Sequence, residues 1–208
     1  MADTASEAED RLESRLLRAA LKELADAPVE QLSMRHVAQS LGVSHQAPYV
    51  HFGSRKRFLA AVAGTGLAEA TARARAAVEA AGDRPPARLH ALADAYLDFI
   101  REHPHVHDLA HGPTVAKADH PLLQRAAIQY WDLLHDTIAS CQPQGTSEAE
   151  VLCRAAVAWS TVYGISRLSA FGQLPDSVPA SAGELIHGAI DQLLAGWQHG
   201  MTDPSQRS

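Results

Sequence analysis

Between Glu7 and Gln198 apolar residues return at steps of three and four, and no β-branched run of strand length interrupts them. That spacing lines apolar side chains along one stripe of a helix; a half-buried strand would need strict alternation instead. The composition agrees. Alanine and leucine dominate, and aromatic residues make up only 5% of the chain. Both aliphatic types enter a helix at little entropic cost. The expected fold class is all-α. At 208 residues the chain can bury a core, as one long domain or two small ones.

Glycine, proline and capping residues cut the pattern into pieces. Leu12, Leu16, Leu17, Ala20, Leu21 and Leu24 predict a helix over about 7–26, ended by Pro28. Ser33 is placed to cap a short helix over 34–41, with Val37, Ala38 and Leu41 inward, and Gly42 ends it. Ser44 is placed to cap a second short helix over 45–51, with Pro48 in its first turn. Gly53 and Ser54 then precede a long helix over 55–81. Further helices are expected over 87–103, 121–141, from Ser147 to about 171, and from Ser181 to about 198. The last two are opened by Ser-x-x-Glu capping boxes. Pro104, Gly112 and Pro113 leave only short helical pieces in 104–120, and 201–208 reads as a polar, disordered tail.

Several classes are disfavoured at once. Two cysteines, Cys141 and Cys153, make no disulfide framework, although a redox pair between them is conceivable if their helix ends meet. The opening MADTASEAEDRLES is acidic and lacks the apolar core of a signal peptide. No stretch approaches the ~20 apolar residues that span a bilayer. A cytoplasmic protein with no membrane partner is expected. No nucleophile–base pair or paired carboxylates stand at a telling spacing, so no enzyme activity is expected either.

The charge distribution is more informative. The chain carries a formal net charge of -6, yet Ser33 to Arg57 holds Arg35, Arg55, Lys56, Arg57 and three histidines with no acid. This acid-free stretch contains the two short helices, joined by Leu-Gly-Val-Ser, and the start of the long one. Such an arrangement is a helix-turn-helix, whose second helix can enter the DNA major groove. Duplex DNA carries a phosphate charge every ~1.7 Å, which would repel an inward carboxylate. Arg35, Arg55 and Lys56 are placed to grip phosphates on either side of the groove. Ser44, His45, Gln46, Tyr49 and His51 decorate the reading helix. Gln46 has the two-headed amide that pairs with adenine, and Ala47 suits a thymine methyl.

The stretch MRHVAQSLGVSHQAPYVHFGSRKRFLAAV closely resembles the helix-turn-helix of the TetR family of transcriptional regulators. Ala38, Leu41, Gly42, Val43, Ser44, Tyr49, His51, Phe52, Arg55 and Leu59 fill that family's motif positions, and the resemblance covers about residues 11–62. It implies that Tyr49 and His51 lie at the phosphate backbone. Two positions depart from the pattern: Pro48 replaces a large aliphatic, and Val50 stands where many members place a polar residue. A weaker likeness, AWSTVYGISRL over Ala158–Leu168, resembles the W…HG signature of one C-terminal subclass, with Tyr163 in place of the histidine.

The resemblance implies a DNA-binding head over 1–57 and an effector-binding, dimerising domain over 58–200. The partners would be a double-stranded operator, a second copy of the chain and a small-molecule effector, with no cofactor. Tyr96, Phe99, His103, His107, Trp131, His135, Trp159 and Tyr163 are candidate pocket residues, since apolar walls with few polar groups describe small-molecule sites. Leu152, Ala156, Ile186, Ile190, Leu193 and Trp197 lie on wide apolar faces of the last two helices and are candidates for the dimer interface. The run REHPHVHDLAHG supports an alternative reading. His107 and His111 would share one helix face, so a small helical metalloprotein built on His103–His111 is the competing hypothesis. A bound metal is not expected, because Pro104 interrupts the segment and no HExxH is present.

Overall fold

The computed structural model describes residues 2–199, with side chains from 11 to 198; the tail expected at 201–208 lies outside the described residues. Among the described residues there are nine α-helices and no strand. They are α1 (Ala2–Asp26), α2 (Met34–Ser40), α3 (Ala47–Phe52), α4 (Arg55–Ala80), α5 (Pro85–Glu102), α6 (Pro104–His111), α7 (Pro121–Ser140), α8 (Glu148–Ala170) and α9 (Ala182–His199). One 3₁₀ turn, Lys117–Asp119, separates α6 from α7. The chain forms two compact units. One gathers the residues up to Thr71 with Phe99–Tyr130, and the other joins Ala72–Asp98 to the residues from Trp131 onward.

The caps explain most boundaries. Ser33 accepts the His36 N–H at 3.4 Å and starts α2. Ser147 Oγ accepts the Glu150 N–H while Glu150 Oε2 accepts the Ser147 N–H at 3.2 Å, and Ser181 and Glu184 repeat the exchange at α9. Each box satisfies amides that the first helical turn leaves without an internal partner. Three helix starts differ from expectation by two residues or more; α5 is one, starting at Pro85 rather than 87. Helix α1 starts at Ala2 rather than near Glu7, because residues before Leu12 carry no apolar period for pattern reading to detect. Helix α3 starts at Ala47 rather than His45, and Gln46, not Ser44, holds the cap position, without a side-chain bond. Proline is the reason. Starting at Ala47 puts Pro48 where no N–H is needed; a start at His45 would leave its missing donor opposite the Ser44 carbonyl. Ser44 instead shapes the turn, its Oγ accepting the Gln46 N–H at 3.2 Å.

The core of the first unit is drawn from α1, α2, α3, α4 and the α6–α7 region. Leu16, Leu24, Val37, Phe52, Phe58, Val62, Leu109 and Leu123 are among its buried members. Phe52 meets Phe58 edge to face, with centroids 5.0 Å apart. Burying each large side chain contributes roughly 1.5–3 kcal/mol, so this core holds the short helices α2 and α3, which would be marginal alone. Helix α4 is bare at two places where neighbours come close. A Cβ on Gly64 would overlap the backbone of Leu122 and Leu123, and one on Gly66 would overlap the Val106 side chain.

In the second unit α8 packs on α9. Val151, Ala155, Ala158, Val162 and Ser166 form the inward row of α8, facing a unit that also buries Ile186, Ile190 and Trp197 of α9. Helices α5 and α9 are cross-braced by His90–Asp191 at 2.9 Å and His187–Asp94 at 2.6 Å, with the two imidazoles 4.5 Å apart. Cys141 is buried, which pushes its thiol up, and Cys153 is exposed; both are free, so the redox pair considered above is not formed.

Candidate nucleic-acid interface

The turn between α2 and α3 is tight because Gly42 adopts φ 67°, a left-handed conformation that costs a glycine little. The Val43 N–H then bonds back to the Ala38 carbonyl at 3.1 Å. Val37 and Ala38 on α2, with Pro48 and Phe52 on α3, face inward and fix the angle of the pair. The opposite side of α3 is presented outward: Tyr49 is 48% exposed and Val50 80%. His45 and Gln46 are exposed just ahead of the helix, as are Ser44 and, on α2, Arg35, whereas His51 is half-buried. All six expected residues of the 44–51 stretch and α2 thus lie on or beside one short helix-turn-helix.

Two of the three cations at the start of α4, Arg55 and Lys56, are held by the protein itself. Arg55 Nη2 donates to the Val29 carbonyl at 2.8 Å and the Leu32 carbonyl at 3.3 Å. Lys56 Nζ lies 3.1 Å from Asp119 Oδ1. Sequence spacing shows neither partner, since the carbonyls belong to the α1–α2 loop and Asp119 to the 3₁₀ turn. Beside the helix-turn-helix, Arg15, Arg18 and Lys22 of α1 line an open groove of about 590 Å³ with His36, Ser40 and Leu41. Glu23 and Asp26 line it too, and His36 sits 3.4 Å from Glu23. Sequence reasoning missed this groove, although Arg15, Arg18 and Lys22 recur at steps of three and four and so share a helix face.

The eight candidate pocket residues divide into two sets. In the second unit Trp131 meets Trp159 edge to face at 6.4 Å, and Tyr163 lies 6.1 Å from Trp159. Tyr96 is buried beside them; burial first, then Tyr163, pushes its hydroxyl well above the ordinary range. His135 sits between two carboxylates, Asp136 at 3.3 Å and Glu148 at 3.0 Å. In the first unit Phe99 packs on His103 at 6.2 Å and edge-on against buried His107 at 5.8 Å. His107 in turn stacks on His111 at 4.5 Å. These rings pack as a column, and among the described residues no three His, Cys, Asp or Glu side chains are grouped to hold a metal ion. The metalloprotein reading is not favoured.

Of the candidate interface residues, Leu152 and Ala156 are exposed, Leu193 is half-buried, and Ile186, Ile190 and Trp197 are buried within their own chain. The exposed apolar surface of α8 continues through Val157, Trp159 and Leu168 to Phe171 just beyond it.

An all-helical chain with this exposed, acid-free helix-turn-helix belongs to the class of helix-turn-helix DNA-binding regulators. Sequence and structure comparisons place it further. Residues 16–62 match the pattern described as bacterial regulatory proteins, tetR family, and residues 89–193 match the tetracyclin repressor-like C-terminal domain. The chain belongs to the TetR family of transcriptional regulators. Similar solved structures include a protein of unknown function from Rhodococcus sp. RHA1, 32% identical, with a TM-score of 0.72 over 89% of this chain and 95% of that one. A transcriptional regulator from Rhodococcus sp. Rha1 is 26% identical, with a TM-score of 0.64 over 90% and 96%. A TetR Q116A variant from Acinetobacter baumannii AYE, in complex with minocycline, shares the fold at 18% identity, with a TM-score of 0.59 over 90% and 97%. No curated protein matches the chain in sequence.

Proposed function

We propose that the chain is a ligand-responsive repressor acting in the cytoplasm. As a homodimer it holds a pseudo-palindromic operator, and it lets go when a small molecule binds. The observation that carries the reading is the aspect of α3. Pro48 and Phe52 anchor it inward while Tyr49 and Val50 stand clear of the protein, within a stretch that has no carboxylate. Two such helices related by a two-fold axis suit two half-sites about one helical turn of DNA, ~34 Å, apart.

In this reading residues 1–57 form the DNA-binding head and 58–200 the effector and dimerisation domain. Gln46 and His45 read bases, Val50 meets a thymine methyl, and Arg35, Ser44, Tyr49, His51 and Lys56 position the backbone. Arg55 serves this surface by holding the α1–α2 loop against α4. The exposed row Leu152, Ala156 and Val157 of α8, with Leu193 of α9, meets its counterpart in the second copy. Ile186, Ile190 and Trp197 support that surface from behind. The effector sits against Tyr96, Trp131, Trp159 and Tyr163, where aromatic walls come with a few hydroxyl and indole donors. It lowers operator affinity by binding better to the conformation that cannot span both half-sites.

The test is a gel shift with the DNA immediately upstream of the protein's own gene, at several salt concentrations. Specific retention should weaken steeply as salt rises, because release of counterions from phosphates drives binding. A complex indifferent to salt, or no preference for that DNA over unrelated duplex, would defeat the reading.

A further inference from the structure

The first turn of α4 is an electrostatic oddity. It contains Arg55, Lys56 and Arg57 and no acid, although the N-terminal end of a helix already carries the positive pole of its dipole. Three cations there call for an anion. The fold brings one from elsewhere in the chain: Asp119, at the end of the 3₁₀ turn between α6 and α7, places Oδ1 3.1 Å from Lys56 Nζ. Its second oxygen, Oδ2, accepts the Ala116 N–H at 2.6 Å, and its own N–H donates to the Ala116 carbonyl at 2.9 Å. The Ala116 bond first, then Lys56, holds this carboxyl below the usual carboxylate range, so it is ionised at neutral pH. The next residue, His120, rests against the Phe52 ring at 6.2 Å, on the last residue of α3. The turn is therefore fixed to the start of α4 and to the end of the proposed reading helix α3, and its carboxylate is aimed by the backbone rather than free to swing.

We propose that Asp119 is an internal stand-in for an operator phosphate: it occupies Lys56 in the free protein, and DNA must take Lys56 from it. The proposal rests on the DNA-binding reading. A carboxylate at this distance offers the ammonium the same kind of partner as a phosphate oxygen does, so the two compete for one cation. Asp119 thereby sets a ceiling on the grip of the head, and any movement of the turn away from α4 raises that ceiling. Lys56 is 60% exposed, so the contest is partly screened by water. Exposed ion pairs of this kind correspond to a roughly two- to fivefold change in affinity per head.

The experiment compares wild type, Asp119→Asn, Lys56→Gln and the double variant. Each is titrated with a fluorescently labelled duplex of arbitrary sequence across a salt series, because phosphate contacts need no operator. Asparagine keeps an acceptor for the Ala116 N–H, and Asp119→Ser serves as a second variant should the first fail to melt like wild type. Asp119→Asn is expected to bind two- to fivefold tighter at low salt, with the gain absent in the Lys56→Gln background. Unchanged or weaker binding by Asp119→Asn overturns the proposal, and so does an equal gain with and without Lys56. If wild type binds no duplex at any salt, the DNA-binding reading falls and takes this proposal with it. Wild-type binding with an indifferent Asp119→Asn removes the proposal alone.

Discussion

Arg55, in the first turn of α4, donates to the backbone carbonyl of Val29 at 2.8 Å, closing the loop that leads into α2. The same Nη2 reaches the Leu32 carbonyl at 3.3 Å, one residue before the Ser33 cap. A side chain whose cationic character invites a DNA role is thus a clasp on the frame that carries the reading helix.

Arg55→Ala should therefore cost stability as well as affinity. Losing a charge-assisted pair of bonds at an exposed site should destabilise the fold by about 1 kcal/mol, read by urea denaturation, and weaken every duplex alike. Arg55→Lys should recover little, because the shorter lysine side chain does not bring its ammonium to the place where Nη2 meets both carbonyls. Weaker DNA binding with unchanged stability would contradict the clasp.

Gln46→Ala should act differently. A two-headed contact to adenine is worth roughly 1–3 kcal/mol of discrimination, so the variant should relax preference at one base pair of each half-site while leaving non-specific binding intact. Competition between operator duplexes altered one position at a time gives the answer. Equal loss on every duplex would remove Gln46 from the readers.

His120 makes stability depend on acid. Burial first, and the cations Arg57 and Arg125 after it, lower its pKa from the ordinary 6.5, while Glu13 pulls the other way. The folded state therefore favours neutral imidazole, and the unfolded chain takes up the proton more readily. Stability is full above pH 6.5 and declines as pH falls through the interval between the two values. Melting temperatures of His120→Gln and wild type should diverge at neutral pH far less in slope than below it, with the variant flatter on the acid side. Parallel curves would show that the imidazole is not the group titrating.

Val157 is 51% exposed on α8, next to exposed Ala156 and on the same outward side as Leu152. Val157→Arg should weaken dimer association at least tenfold, about 1.4 kcal/mol, because a guanidinium pair would meet across a two-fold axis. Sedimentation at graded concentrations detects this. An unchanged dimer would move the interface off this row.

The order of helices was largely readable from residues alone, and for a physical reason. Ser33, Ser147–Glu150 and Ser181–Glu184 announce helix starts through local bonds that depend only on neighbours in sequence. The short helices were readable because Gly42 and Gly53 mark turns that few other residues adopt. What stayed hidden depends on packing. Helix α8 is apolar around most of its girth, so periodicity could not say that Val151, Ala155 and Val162 turn inward while Leu152 and Val157 turn out. Periodicity likewise gives no measure of how far the interface candidates Ile186, Ile190 and Trp197 are covered by their own chain. The partners of Arg55 and Lys56 come from segments that only the folded chain brings near.

Gly64 and Gly66 matter for what they omit. Neither needs an unusual backbone; each is a missing methyl that sets how near two rods can lie. The two gaps are not equivalent. At Gly64 a side chain would strike main chain at the head of α7, whereas at Gly66 it would meet side chains, Val106 of α6 first and Leu21 of α1 next. A graded wedge is therefore available at one site only: alanine and then larger residues at 66 would prise α6 off α4 by increments, while any substitution at 64 would act as a jammed door.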